Sequence, residues 1–188
     1  LYALAAGQAS GHSTKEYLAG ASLSDMLTSV ATVPLLAMSF GLSPLVGQAM
    51  GSGNKKMAGT WVQLALFCVT LAGIPLHATF FLIRQTLEAM SFEPALCELA
   101  GTYAMFSAFW VIPNSWYVTF RFYFQAQGKA RPAMWCGLIF LALNAFLGWT
   151  FVFGGPFESL VGWSGLGFIG AAVAISTSRD LQCFAYFW

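Results

Sequence analysis

Charge is what this chain has least of: Asp, Glu, Lys and Arg together make up 8% of its 188 residues, against roughly 25% in a typical soluble domain. With 58% of residues hydrophobic and 16% aromatic, no soluble globule of this length has interior enough to hide them, and that class is excluded. A net charge of +1 leaves no basic face for nucleic acid, because the few cations fall in short turns. Histidine is nearly missing. The four cysteines, Cys68, Cys97, Cys136 and Cys183, lie far apart with no C-x-x-C and no neighbouring histidine, so they read as buried structural thiols rather than metal ligands. No cofactor is expected. Leu1 to Ser10 shows only a weak apolar run and no basic segment, so no secretory leader is read there.

What the chain does have is long apolar runs. The polar, basic turn Gln125-Ala-Gln-Gly-Lys-Ala-Arg-Pro132 leads into a nearly unbroken apolar stretch to Phe153, interrupted most clearly by Asn144. At about 1.5 Å per residue such a stretch crosses a hydrocarbon core of about 30 Å as a helix. The same reading gives an all-α, multi-pass membrane protein with spans near 23–43, 61–83, 99–124, 134–153 and 165–188, three of them carrying a proline, Pro34, Pro75 and Pro113. Its immediate partner is the lipid bilayer. The chain opens at Leu1 without an initiator methionine and closes at Trp188 inside an apolar run, so it is expected to be one unit truncated at both ends. Lys55 and Lys56 mark one connection, Glu88, Glu93 and Glu98 the next, Lys129 and Arg131 the third and Glu158 the fourth. Because cytoplasmic loops collect Lys and Arg, loops 47–59 and 125–133 are predicted to face the cytoplasm.

Polar residues within the spans fall at helical spacing. Ser22, Asp25, Ser29, Thr32, Ser39 and Ser43 are predicted to form one stripe on the first span. Tyr103, Ser107, Trp110, Asn114, Tyr117, Arg121 and Gln125 form another on the third, leaving Val111, Val118 and Phe122 for lipid. Serines and threonines in such stripes glue helices together. An acid or amide at depth is costlier and faces a bundle interior or a wet cavity, which makes Asn144, Asn114 and Asp25 the cavity candidates. Asp25 also reads as an interfacial or capping residue at the start of its span, and Arg121 as a cation snorkelling to headgroups. His77 reads as a packing residue. Gly137, Asn144 and Gly148 share a stripe, and Gly167, Ala171, Ala174 and Ser178 form a small-residue seam beside the unexplained charge of Arg179.

Several segments carry a likeness: Leu18-Ala-Gly-Ala-Ser-Leu23, Gly47-Gln-Ala-x-Gly51 with a following Gly-Asn, Trp61-Val-Gln63, Ala126-Gln-Gly-x-x-Arg-Pro132, Leu143-Asn144, Phe151-Val-Phe-Gly154 and Gly165-x-Gly-x-x-Gly-Ala-Ala172. In this order and at these distances the chain resembles the multidrug and toxic compound extrusion (MATE) family of antiporters. The resemblance implies the amino-terminal lobe, from the end of helix one through most of helix six, of a twelve-helix, two-lobe transporter. Its missing partner would be the carboxy-terminal lobe of the same protein, and its cargo a small organic substrate, xenobiotic, cationic or a secondary metabolite, exchanged for protons or sodium. By the same resemblance Asn144 occupies the helix-five position in the lobe cavity, and Gly47, Gln48 and Gly51 close helix two. The helix-one aspartate that couples the ion in many bacterial members falls outside this sequence, which leaves the coupling carboxylate unassigned and Asp25 a weak candidate. Gly148 stands where the family often has a polar residue.

Two rival readings have a sequence basis. A lipid-linked oligosaccharide flippase would show a more cationic cavity, and the only deep cations here are Arg179 and Arg121. An intramembrane serine protease would pair Ser22 of Gly20-Ala-Ser22 with His77, with no other supporting feature. The expected class is a transporter, not an enzyme.

Overall fold

The computed structural model describes residues 13–156, 162 and 165–187. The opening run Leu1–Ala6, the polar pair Gly11-His12 and the Glu158 part of the fourth connection lie outside them. The described residues are helical and turn residues throughout: α1 (Thr14–Gly51), α2 (Lys55–Phe81), α3 (Ile83–Ala89), α4 (Pro94–Ser107), a 3-10 turn (Ala108–Trp110), α5 (Val111–Ala126), α6 (Arg131–Phe153) and α7 (Gly167–Phe187).

Helix α1 is longer at both ends than the apolar run that announces it. Ser13 starts it, its Oγ accepting from the Glu16 N–H while the Glu16 carboxylate accepts from the Ser13 N–H, a reciprocal cap that satisfies two orphan donors. Asp25 therefore sits roughly three turns inside α1 and is not its cap. At the far end Gly47, Gln48 and Gly51 remain helical, which shrinks the predicted 47–59 loop to a tight turn at 52–54. Gly53 makes the turn at φ +74°, and the N–H groups of Gly53 and Asn54 bond back to the carbonyls of Met50 and Ala49. A left-handed glycine satisfies the last carbonyls of a helix at no steric cost. Gly128, at φ +75°, closes α5 in the same way onto Gln125 and Phe124. Asn54 then caps α2, its Oδ1 accepting from the Met57 N–H at 3.0 Å. On the opposite side α3 is a short amphipathic link; Glu88 accepts from Arg84 Nε at 2.8 Å and holds that guanidinium above its ordinary pKa, though both groups are exposed and the pair contributes little.

The third span is two helices rather than one. Pro113 has no N–H to give the Phe109 carbonyl and its ring crowds it, and the chain tightens into the 3-10 turn just before. Behind this break α5 sits against α1, α2 and α7, with Val111 packed on Leu35, Val69 and Phe80, and Val118 and Phe122 packed near Cys183. These three residues, expected to face lipid, are buried. The reason is position: α5 is enclosed by neighbours, so both its polar and its apolar sides find protein.

Interhelical hydrogen bonds made by side chains tie the bundle where apolar contact alone is unspecific. Ser39 and Thr119 hydroxyls meet at 3.0 Å between α1 and α5, Trp116 Nε1 donates to Thr70 Oγ1 at 2.8 Å between α5 and α2, and Ser176 Oγ donates to the Phe106 carbonyl at 2.9 Å between α7 and α4. Helix α6 packs chiefly on α7. That contact is close because a Cβ on Gly170 would run into the Phe151 carbonyl oxygen.

The outer surface inverts the order of a soluble protein. Met26, Val30, Phe67, Leu71 and Ile139 are each about three-fifths or more exposed, far beyond the scattered apolar residues of a water-facing surface. Four segments, Lys15–Gly51, Lys55–Phe81, Pro94–Ala126 and Arg131–Phe153, are long and apolar enough to cross a membrane. Helix α7, the expected fifth, is long enough but carries Arg179, Asp180 and Gln182 and falls short in apolarity.

Candidate functional site

Where α5, α6 and α7 converge they leave a cavity of about 390 Å³. Tyr117 and Arg121 reach it from one side of α5, four residues apart; Gly137 and Asn144 line it from α6, seven apart; Ser178, Arg179 and Gln182 line it from α7. Each set shares a helix face by ordinary 3.6-residue periodicity. Phe140, Leu141 and Ile175 supply an apolar wall.

The cavity's polar wall is unusual for a bundle so poor in charge. Arg121 lays its guanidinium over the Phe122 ring, 5.2 Å from its centre, and its Nε is buried with no hydrogen-bond partner. The Tyr117 hydroxyl lies beside that guanidinium, and the Tyr117 ring stands edge-on to Tyr186, 5.2 Å between centres. Arg179 donates from Nη1 to Gln182 Oε1 at 3.2 Å. Arg121 is thus a cavity residue rather than the snorkelling cation expected from its place near the end of α5. The sequence signal was present in its spacing from Tyr117 and Asn114, and was outweighed by its nearness to the turn.

The other candidates are not brought here. Asn114 lies one turn before Tyr117, partly buried and outside the cavity wall. Asp25 is on the exposed side of α1 with Ser22 and Ser29, whereas Ser39 of the same predicted stripe is fully buried, so that stripe divides between two faces. The true inner edge of α1 runs through Ser24, Thr28, Leu35 and Ser39. Gly47, Gln48 and Gly51 are exposed on the last turns of α1, and Gln48 borders a shallow groove of about 140 Å³ with Ser52, Met57 and Trp61. Gly148 is buried one turn beyond Asn144, outside the cavity wall. His77 packs edge-on against Phe81 and Phe109, while Ser22 is exposed on α1. Among the described residues no three His, Cys, Asp or Glu side chains cluster as a metal set.

Residues 2–150 match the family model described as MatE. The chain belongs to the MatE family. Its MatE relatives include Protein DETOXIFICATION 16 of Arabidopsis thaliana, 32% identical over 173 residues that cover 92% of this chain and 34% of that protein. An uncharacterized transporter of Schizosaccharomyces pombe is 28% identical over 174 residues, 92% of this chain and 31% of its own length. A probable multidrug resistance protein NorM of Bacillus cereus is 25% identical over 166 residues, 88% and 36%. This MatE chain therefore spans about a third of the length of the curated relatives it matches. The family is one of membrane transporters, not enzymes, which leaves the Ser22–His77 protease reading without support. The ground used against a flippase, that its two deep cations are sparse, changes too, since Arg121 and Arg179 share one cavity; the family match is nevertheless to MatE.

Proposed function

We propose that the full-length protein is a secondary active antiporter that exports small organic compounds, xenobiotic, cationic or secondary metabolites, in exchange for protons or sodium, and that this chain forms its amino-terminal lobe. The observation that carries this is the MatE match of residues 2–150 over a bundle that has apolar outer faces and a polar cavity at Asn144. A membrane bundle excludes polar side chains unless they face protein or a wet pathway, so the cavity is the natural station for cargo. In repeat-built transporters such sites are exposed alternately as one half rocks against the other.

On this reading Asn144 offers a neutral amide to the substrate, while Asn114, one turn before Tyr117 on α5, stays outside that cavity wall. Asp25, Ser22 and Ser29 lie on a face of α1 that the described residues leave uncovered. A carboxylate facing hydrocarbon is costly, at least about 2.5 kcal/mol at mid-depth, so we place that face against the second lobe. Gly47, Gln48 and Gly51 then mark the end of the family's second helix, and the turn at 52–54, followed by Lys55 and Lys56 in the first turn of α2, and the turn at 127–130, with Lys129, face the cytoplasm.

The test is gradient-driven efflux of ethidium from vesicles that hold the full-length protein, with a proton or a sodium gradient imposed in turn. Efflux that collapses when one gradient is dissipated supports antiport and names the ion; no gradient-dependent movement of any organic compound removes the reading. Asn144→Leu is expected to lower efflux about tenfold, the loss of a single polar contact in a dry site, while leaving membrane insertion intact. Wild-type kinetics in that variant would take Asn144 out of the site.

A further inference from the structure

Two arginines line one small cavity, Arg121 partly buried and Arg179 exposed at its edge. Guanidinium groups stay protonated at any relevant pH, and a cation at membrane depth costs several kcal/mol unless it is paired or wet. Among the described residues neither Arg121 nor Arg179 forms an ion pair; the pair that does form, Arg84–Glu88, is on the link between α2 and α4. The nearest acid in sequence, Asp180, is not in the cavity wall, and its Oδ1 is buried with no hydrogen-bond partner. Consecutive helix residues lie 100° apart, which puts Asp180 on another face of α7 from Ser178 and Gln182.

We infer that the α5–α6–α7 cavity binds an organic oxyanion, a small molecule whose carboxylate or phosphate group is held between the Arg121 and Arg179 guanidiniums. Arg121 lays its face on Phe122, its Nε is buried without a hydrogen-bond partner, and the Tyr117 hydroxyl lies beside its guanidinium at the cavity wall. Arg179 commits Nη1 to Gln182 and keeps its other donors. Paired guanidiniums suit planar, two-oxygen acceptors, with charge-assisted bonds roughly twice as strong as neutral ones. Asn144 and Tyr117 remain for a hydroxyl or carbonyl on the ligand, and Phe140 and Leu141 for an apolar body. A cavity of about 390 Å³ lies at the small end of the ligand-site range of about 300–1,000 Å³. A soluble organic acid and the headgroup of an anionic lipid share this chemistry. That such a ligand is cargo rests on the antiporter reading; that the cavity binds it does not.

The experiment uses the full-length protein in nanodiscs of phosphatidylcholine, with radiolabelled salicylate as the anionic probe and salicylamide as its uncharged counterpart. Saturable salicylate binding that salicylamide does not displace is expected, weakened about tenfold by Arg121→Gln or Arg179→Gln and unchanged by Lys129→Gln, an exposed cation outside the cavity. In the wild-type protein, where folding of a variant is not in question, bound salicylate should slow phenylglyoxal modification of Arg121 and Arg179. A second arm replaces part of the lipid with phosphatidylglycerol: loss of salicylate binding there assigns the site to a headgroup, and undiminished binding to a soluble acid. The proposal is overturned if both glutamine variants bind like wild type, or if neither salicylate nor phosphatidylglycerol protects the two arginines. Ethidium efflux without anion binding would remove the site and leave the antiporter. Salicylate bound but moved by no gradient would remove the anion as cargo and leave the site.

Discussion

Glycines with different surroundings separate packing from function at the residue scale. Gly170 has no room, since its Cβ would meet the Phe151 carbonyl, a backbone atom that cannot swing aside. Gly170→Ala is expected to cost about 1–3 kcal/mol as overpacking, read as a lower melting temperature of the detergent-solubilised full-length protein. Gly47 and Gly51 have open space around them, and both are helical. Gly47→Ala should therefore leave stability unchanged or raise it by about 0.5–1 kcal/mol, so that any transport defect in it reports a functional need for that glycine. The Ser39–Thr119 pair is a third case: a double-mutant cycle of Ser39→Ala and Thr119→Val should give a coupling of about 0.6 kcal/mol, the scale of interhelical hydrogen bonds in membranes. Asn144 was legible in the sequence because an amide in an apolar run has few tolerable places. Arg179 was visible but unassigned, since nothing along the chain tells which of its neighbours sits across from it.

At the scale of elements, the membrane class and the order of the spans were readable from hydropathy and proline, and the ends of helices were not. Hydropathy ends where the bilayer does, whereas α1 ends where Ser13 and Gly53 satisfy its terminal groups, several turns beyond the apolar run. The third-span stripe is divided between two helices by the 3-10 turn Ala108–Trp110 and by Pro113. Tyr103 and Ser107 are buried on α4, whereas Tyr117 and Arg121 line the cavity from α5. Pro113→Ala is expected to let α4 and α5 run on as one helix, turning Tyr117 and Arg121 out of the cavity. The variant should then insert normally and lose salicylate binding as fully as Arg121→Gln; unchanged binding would show that the break is held by packing and not by the proline.

At the scale of the whole molecule, orientation is the next quantity to fix. Lys129 lies in the turn after α5 and Glu93 in the link before α4, both exposed, at opposite ends of the third span. With Lys-bearing turns toward the cytoplasm, a membrane-impermeant maleimide added to intact cells should label Glu93→Cys and spare Lys129→Cys until the cells are opened. The reverse pattern would invert the topology without disturbing the fold. The dominance of the α7 seam in holding α6 also has a mechanical side. Gly170 and Phe151 press together at one end of that seam, and Asn144 lies seven residues further along α6, a lever arm of about 10 Å at 1.5 Å per residue. A swing of about 10° around that fulcrum shifts Asn144 by about 2 Å, enough to change the cavity's bore by about half the width of a methyl group while the rest of the bundle stays still.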